Sequence, residues 1–376
     1  MIIGIPKETR ANENRIAISA DVVKLFIKAG HSVNITKNAG YNAGQLDEKL
    51  KEAGALIQSG NKEIYSNSEV IIQVNPPDIE QIKCMKKDTI LISHLYAYTQ
   101  PDLLKALLEN EITSFAMEAV PRISRAQSMD ALSSQANLAG YKAVLLGANA
   151  LGKIFPLLMT AAGSIKPSKV LIFGAGVAGL QAIATAKRLG AIVECTDVRP
   201  ETKEQVESLG GKFLEVKSES GVTTEGGYAK EVSAEYLAKQ KELVSKHVAE
   251  ADIVITTALV MGKKAPVLVT AEMVKTMKPG SVIVDMAVES GGNCELSEKE
   301  KTVVKEGVTI IGESNIPSLL AVNASELYAK NIWALFSHLT SKDGFKWEME
   351  EEITKGCLIT KGGTLIHDFT KKALGL

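Results

Sequence analysis

Apolar residues fall along this chain in two patterns: short unbroken runs, and stretches in which they return every three or four positions. The first pattern reads as strands buried on both faces, the second as amphipathic helices. Residues 2–5 form the first run, and a helix is predicted over 21–28, with Val22, Val23, Leu25 and Phe26 as its buried face. Residues 32–36, 70–74 and 89–93 read as further strands, 102–108 as a helix and 114–117 as a strand. A second series opens at Lys169 with a strand at 170–173, a helix at 180–189 and a strand at 192–196. Strands at 253–256, 281–286 and 309–311 continue it. Strand–helix alternation of this kind predicts parallel sheets covered on both faces, and two series predict two domains.

Between the series, residues 124–158 are largely helical in pattern and should carry the chain from one domain to the other. After Ile316-Pro317-Ser318 the pattern turns helical again over 324–339, which is expected to return to the first domain. The expected fold is therefore α/β, with two Rossmann-like, doubly wound domains, a cleft between them and long helices joining them. The expected boundaries are 1–137 plus 318–376 for a discontinuous N-terminal domain and 138–317 for a nucleotide-binding domain. Residues 143–165 are the most apolar long segment, but Lys153 and Pro156 interrupt it. It reads as a buried inter-domain helix, not as a membrane span.

Composition narrows the picture. The 376 residues carry a formal net charge of −1, so no global field draws the chain to nucleic acid or anionic lipid. Cys84, Cys195, Cys294 and Cys357 lie far apart, a spacing that fits neither a zinc site nor a disulfide framework and makes the cytoplasm the default compartment. The N-terminal residues lack the basic and apolar regions of a signal peptide.

The sharpest chemical signal is Gly174-Ala175-Gly176-Val177-Ala178-Gly179, set between the predicted strand at 170–173 and the predicted helix at 180–189. In that context Gly174 allows a tight turn, Gly176 lets the backbone approach a pyrophosphate and Gly179 lets the helix pack on the strand. The helix N-terminus then offers unpaired N–H groups to the diphosphate. Asp197 closes the next strand, where a carboxylate accepts both ribose hydroxyls and repels a 2′-phosphate. NAD(H) is therefore expected over NADP(H), and the chain reads as a hydride-transfer enzyme. Arg199, two residues on, could accommodate a phosphate.

Polar residues also crowd 121–137, at the start of a long apolar helix. Helix capping accounts for one or two of them and a cofactor site for more, and both readings stand. Arg15, His94 and Glu289 are single candidates near strand ends; His94 reads equally as an acid/base or as a structural histidine. Residues 218–228 are polar, glycine-rich and aperiodic, and read as a surface loop, with Tyr228 after two glycines as the feature that suggests a flap.

Taken together, these stretches resemble the superfamily of alanine dehydrogenases and the NAD(H)-binding component of proton-translocating transhydrogenase, over essentially the whole chain. The segments 121–141, 179–190, 202–211 and 226–231 resemble the transhydrogenase component in particular. The resemblance implies that Arg122, Gln127, Asp130 and Ser133 take the nicotinamide-side positions. Arg122 would pair with Asp130, Gln127 would bridge to the partner's nucleotide, and Ser133 would contact the carboxamide. It further implies that Val177, Asp197, Val198 and Arg199 line the adenosine half. Gly227 and Tyr228 would close over it, and Thr257, Ala258 and Leu259 would pass beside the cofactor.

Alanine dehydrogenases bind pyruvate through an arginine and a lysine and use a histidine and an aspartate. This chain keeps Arg15 and His94 but has Gln73 at the lysine position and Glu289 at the aspartate position. Loss of a lysine that pairs with a carboxylate removes a charge-assisted hydrogen bond and argues against amino-acid oxidation. The implied activity is direct hydride exchange between NAD(H) here and NADP(H) on a partner subunit, coupled to protons by a separate membrane-spanning subunit. A homodimer with no metal is expected, held at the cytoplasmic face of the inner membrane through those partners. The rival readings are a free-standing alanine-dehydrogenase-like enzyme and a non-catalytic NAD-sensing module.

Overall fold

A computed structural model describes residues 1–215, 234–260 and 262–376, with the side chains of 234–238 left undescribed. The chain divides into a split unit, Met1–Gln135 with Pro317–Leu376, and a central unit, Ala136–Ile316. Each is an α/β unit built on a mostly parallel sheet, as the alternation predicts.

The sheet of the split unit has eight strands. Six are parallel, in the spatial order Thr113–Ala116, Ile90–Ser93, Val70–Ile72, Ile2–Ile5, Ser32–Thr36, Leu56–Gln58. Leu358–Lys361 and Thr364–Leu365 extend it at the Thr113–Ala116 edge as antiparallel strands. Alternate residues feed opposite faces: Val70, Ile72 and Ile92 pack in one core, Ile71 and Leu91 in the other. The Ala321–Leu339 helix seals the first core with Tyr328, Ile332, Leu335 and Phe336.

The central sheet runs Lys212–Phe213, Ile192–Thr196, Lys169–Phe173, Ile253–Thr256, Val282–Asp285, Val308–Gly312, Lys301–Lys305. Only the last pair is antiparallel. Val170 and Ile172 face one core, Leu171 and Phe173 the other. The strand order reverses at Lys169–Phe173: the chain moves to one side for Ile192–Thr196 and to the other for Ile253–Thr256. Such a switch point opens a crevice at the carboxyl ends of the strands.

Two expectations change. The apolar segment 143–165 is not one buried helix. The helix is Ala131–Ala150, after which Gly152 and Pro156 lie outside any helix, and Leu158–Thr160 pairs with Gly163–Ile165 as a hairpin whose residues are all exposed. Apolar content without helical period carried the misreading. The stretch before that helix is a 3-10 turn, Ser124–Met129. The helix expected after Ile316-Pro317-Ser318 is present as Ala321–Leu339, entered through a 3-10 turn at Ile316–Leu320. Among the described residues no helix is long and apolar enough to cross a membrane.

Candidate nucleotide site

Lys169–Phe173 ends in Gly174, whose φ of +97° lies where only glycine is comfortable. The chain then enters the Val177–Arg188 helix through Gly176, with no side chain capping the helix. A Cβ on Gly179 would lie 1.8 Å from the Gly174 carbonyl oxygen, so glycine there is what lets helix and turn touch. A Cβ on Gly176 would meet nothing within 4 Å. The three glycines thus divide the work: two close the turn and one leaves its outer side open. Open space, bare N–H groups and a helix N-terminus suit a diphosphate, so the residues present fit a dinucleotide.

Ile192–Thr196 delivers Asp197 beside this turn. Its Oδ2 accepts from the Ala175 N–H at 2.7 Å, and its Oδ1 accepts from the Arg199 N–H at 2.8 Å. The Arg199 guanidinium adds contacts of 3.0 Å to Oδ1 and 2.9 Å to Oδ2. Burial works to raise the Asp197 pKa, but Arg199 and the two backbone donors overcome it and hold the carboxyl below its usual range. Asp197 is therefore anionic at neutral pH, and a ribose diol that takes its oxygens must displace the Arg199 side chain. Thr257 sits on the other side, where its hydroxyl donates to the Phe173 carbonyl at 2.9 Å. Val177, Val198 and Leu259 are exposed near these groups, apolar surface of the kind that ligand pockets use.

Most of the remaining candidates lie in the split unit. Asp130 caps the Ala131–Ala150 helix: Oδ1 accepts from the Ser133 N–H at 2.8 Å and Oδ2 from its hydroxyl at 2.6 Å. The implied Arg122–Asp130 pair is not formed; the carboxylate is taken by Ser133. Arg122 and Gln127 are exposed.

Arg15 is buried, with Nε and Nη2 on the Glu13 carboxylate at 2.8 and 2.6 Å and Nη1 on Gln135 at 2.9 Å. Burial works to raise the Glu13 pKa, yet the Arg15 hydrogen bonds and charge hold it at about 2. The Asn75 amide bridges Glu13 and Glu8 at 2.9 and 3.0 Å. Burial pushes Glu8 up to about 7 against the hydrogen bonds from Asn75 and Val74. Gln73 accepts from Tyr65 at 2.9 Å and donates to the Asn75 carbonyl at 2.6 Å. His94 stacks on Tyr96, with its Nδ1 3.6 Å from Glu118. A cavity of about 300 Å³ opens beside Glu8, Glu13, Arg15 and Tyr41. In the central unit, Glu289 is half-exposed and pairs with Lys299 at 3.0 Å.

Sequence reasoning passed over Glu8, Glu13, Asn75, Asp285 and Asn293. Glu8 could have been found from its place just after the first strand, and Asn293 from the two glycines before it. Gly227 and Tyr228 lie outside the described residues. Among the described residues, no group of three or more His, Cys, Asp or Glu side chains could hold a metal.

Comparison with known proteins fits this geometry. The chain is 50% identical to the first part of NAD(P) transhydrogenase subunit alpha of Rhodospirillum rubrum, over 98% of each chain. It is 33% identical to the alanine dehydrogenase of Methanococcus maripaludis, over 99% of this chain and 96% of the other. A crystal structure of transhydrogenase from Sinorhizobium meliloti superimposes with a TM-score of 0.86 at 40% identity, over 98% of this chain and 100% of that one. The chain is thus an oxidoreductase more similar to the transhydrogenases than to that alanine dehydrogenase. The alanine dehydrogenase/PNT N-terminal domain model matches residues 4–139 and the C-terminal domain model residues 143–368, so the chain belongs to the alanine dehydrogenase/PNT family.

Proposed function

We propose that the central unit binds NAD(H) and that the protein exchanges hydride directly with NADP(H) held on a partner subunit. A separate membrane-spanning subunit couples the exchange to proton movement, and the protein acts as a homodimer at the cytoplasmic face of the membrane. The observation that carries the nucleotide choice is Asp197, an anionic carboxylate pinned by the Ala175 N–H beside the open glycine turn. It accepts from the ribose hydroxyls and repels a 2′-phosphate. The backbone at Gly176 and the first turn of the Val177–Arg188 helix hold the diphosphate, while Val177, Val198 and Arg199 line the adenosine half. Thr257, Ala258 and Leu259 flank the other half.

When bound, the nicotinamide supplies the hydride-accepting and hydride-donating carbon. The chain's own residues provide orientation and water exclusion, since direct exchange needs no general acid or base. Gln127 keeps the two nicotinamides in register, Arg122 and Ser133 act on the same side, and Asp130 orients Ser133 through its two hydrogen bonds. The Rhodospirillum rubrum relative is named as one portion of a subunit alpha, which supports a multi-subunit assembly.

Equilibrium titration with NADH and NADPH tests the assignment. NADH is expected to bind at least about tenfold more tightly, the preference falling when Asp197→Ala removes the carboxylate. Equal affinities in the unmodified protein would overturn it.

A further inference from the structure

The Val282–Asp285 strand ends in a fully buried carboxylate that the function above does not use. Asp285 Oδ1 accepts from the Thr256 hydroxyl at 3.1 Å and from the N–H groups of Ala287 and Asn293 at 3.0 and 3.1 Å. Its Oδ2 accepts from the Cys294 N–H at 2.9 Å and the Ser297 hydroxyl at 2.7 Å. A buried carboxylate is tolerated when its lone pairs are met in this way. The chain returns to it through Gly291 and Gly292, both at positive φ (+101° and +80°). A Cβ on Gly292 would lie 2.8 Å from Asp285 Oδ2, so the return depends on glycine.

The outcome of that turn is the placement of Asn293, which has no exposed surface. Its Oδ1 accepts from the Ala258 N–H at 3.0 Å, and its Nδ2 donates to the carbonyls of Ala258 at 2.9 Å and Pro266 at 2.8 Å. One side-chain amide thus holds both polar groups of Ala258 and staples the two feet of the segment between residues 258 and 266. The same segment is fixed to the glycine turn from its other side. The Thr257 N–H donates to the Phe173 carbonyl at 2.9 Å, and its hydroxyl reaches the Phe173 and Gly174 carbonyls at 2.9 and 3.3 Å.

We infer that Asn293 is a positioning residue, whose amide sets the Thr257–Leu259 backbone as the wall against which the nicotinamide half of the dinucleotide lies. The inference rests on the nucleotide reading above. A dinucleotide with its diphosphate at Gly174–Gly176 and its adenosine ribose on Asp197 lies toward Ile192–Thr196 at one end. Its other half must then extend toward Ile253–Thr256, the neighbouring strand on the opposite side of Lys169–Phe173. The wall on that side is Ala258 and Leu259, and Asn293 fixes it without touching the ligand. Asn293 acts through a neutral amide, so its contribution does not titrate.

Truncation of the amide is the test, because the backbone of Asn293 keeps its own contacts: its carbonyl accepts from Leu268 and Val269 at 2.8 and 3.0 Å. NADH and AMP are titrated against the unmodified protein and against Asn293→Ala, with Asn293→Ser as a second variant should the first not fold. NADH affinity is expected to fall about tenfold, while AMP, which lacks the nicotinamide half, binds within about twofold of the unmodified protein. Hydrogen exchange at the Ala258 amide should speed up in the same variant. A parallel loss for both ligands would show general loosening, and unchanged NADH binding would show a passive contact; either overturns the inference. Failure of the unmodified protein to bind NADH would instead defeat the nucleotide reading on which it rests.

Discussion

The two sheets place polar residues at the same location, the carboxyl ends of their parallel strands, and use them in opposite ways. In the central unit those positions hold Gly174, Asp197 and Thr257, and the space in front of Gly176 is left open. In the split unit they hold Glu8, Gln73, Asn75, His94 and Glu118, long side chains that largely bond to one another or to neighbouring backbone. Arg15, a cation that could receive a substrate carboxylate, is taken by Glu13 and Gln135. Glycines expose backbone donors to an incoming ligand, whereas carboxylates and amides satisfy their surroundings from within. The turn at Gly174–Gly176 thereby leaves backbone donors open, whereas the strand ends of the split unit, like Asp285 in the central unit, are paired internally.

The comparison breaks most severely at Gly179. Gly179→Ala puts a methyl 1.8 Å from the Gly174 oxygen, backbone that cannot rotate away. A loss of about 3 kcal/mol in stability is expected, with NADH binding abolished. Denaturant melts and NADH titration check it, and a stable, binding-competent variant would refute the close-packing argument.

Next comes Gln127→Asn, which keeps the amide and shortens its reach. Hydride transfer in a mixture with the NADP(H)-binding partner should slow about a hundredfold, with NADH affinity of the isolated protein within about twofold. Stopped-flow rates at the unmodified level would remove Gln127 from the reaction.

The smallest effect on function sharpens the split-unit side. Glu8 is raised from 4.5 to about 7, so the folded state holds its proton after the unfolded chain has lost it. Its contribution is fully present below pH 4.5 and is lost as pH rises to about 7. Glu13, lowered to about 2, works the other way and loses its contribution as pH falls from 4.5 to about 2. Glu8→Gln should remove a decline in stability of about 3 kcal/mol across the upper window. It should leave NADH binding alone, because the residue belongs to the internally paired region. Melts at a series of pH values read the first effect and titration the second. An unchanged pH slope would place Glu8 outside the buried cluster.

The same contrast explains what the sequence made legible. The glycine turn and Asp197 were readable because strand, turn, helix and next strand follow within 30 residues, each with its own period or residue type. The Glu8–Asn75–Glu13–Arg15 cluster was not, because Asn75 joins glutamates 67 and 62 residues away through sheet pairing that no local pattern encodes. Asn293 escaped for the same reason, being 35 residues from the peptide it holds. At Asp130 both sequence readings stood, and the structure supplies the cap without excluding a role for Ser133. Leu358–Lys361 was missed because an antiparallel strand of four residues, directly after the short Glu352–Cys357 helix, carries too little alternation to register.

The central claim is that this protein passes hydride between two nucleotides and not between a nucleotide and an amino acid. It is tested most directly by mixing the protein with the NADP(H)-binding partner, NAD⁺ and NADPH carrying deuterium at the transferable position of C4. Mass spectrometry then follows the label. The account predicts deuterium retained in NADH without exchange with solvent, no transfer when either protein is omitted, and no NADH formed from L-alanine by this chain alone. Label lost to water, or alanine-dependent NADH formation by the isolated chain, would contradict it.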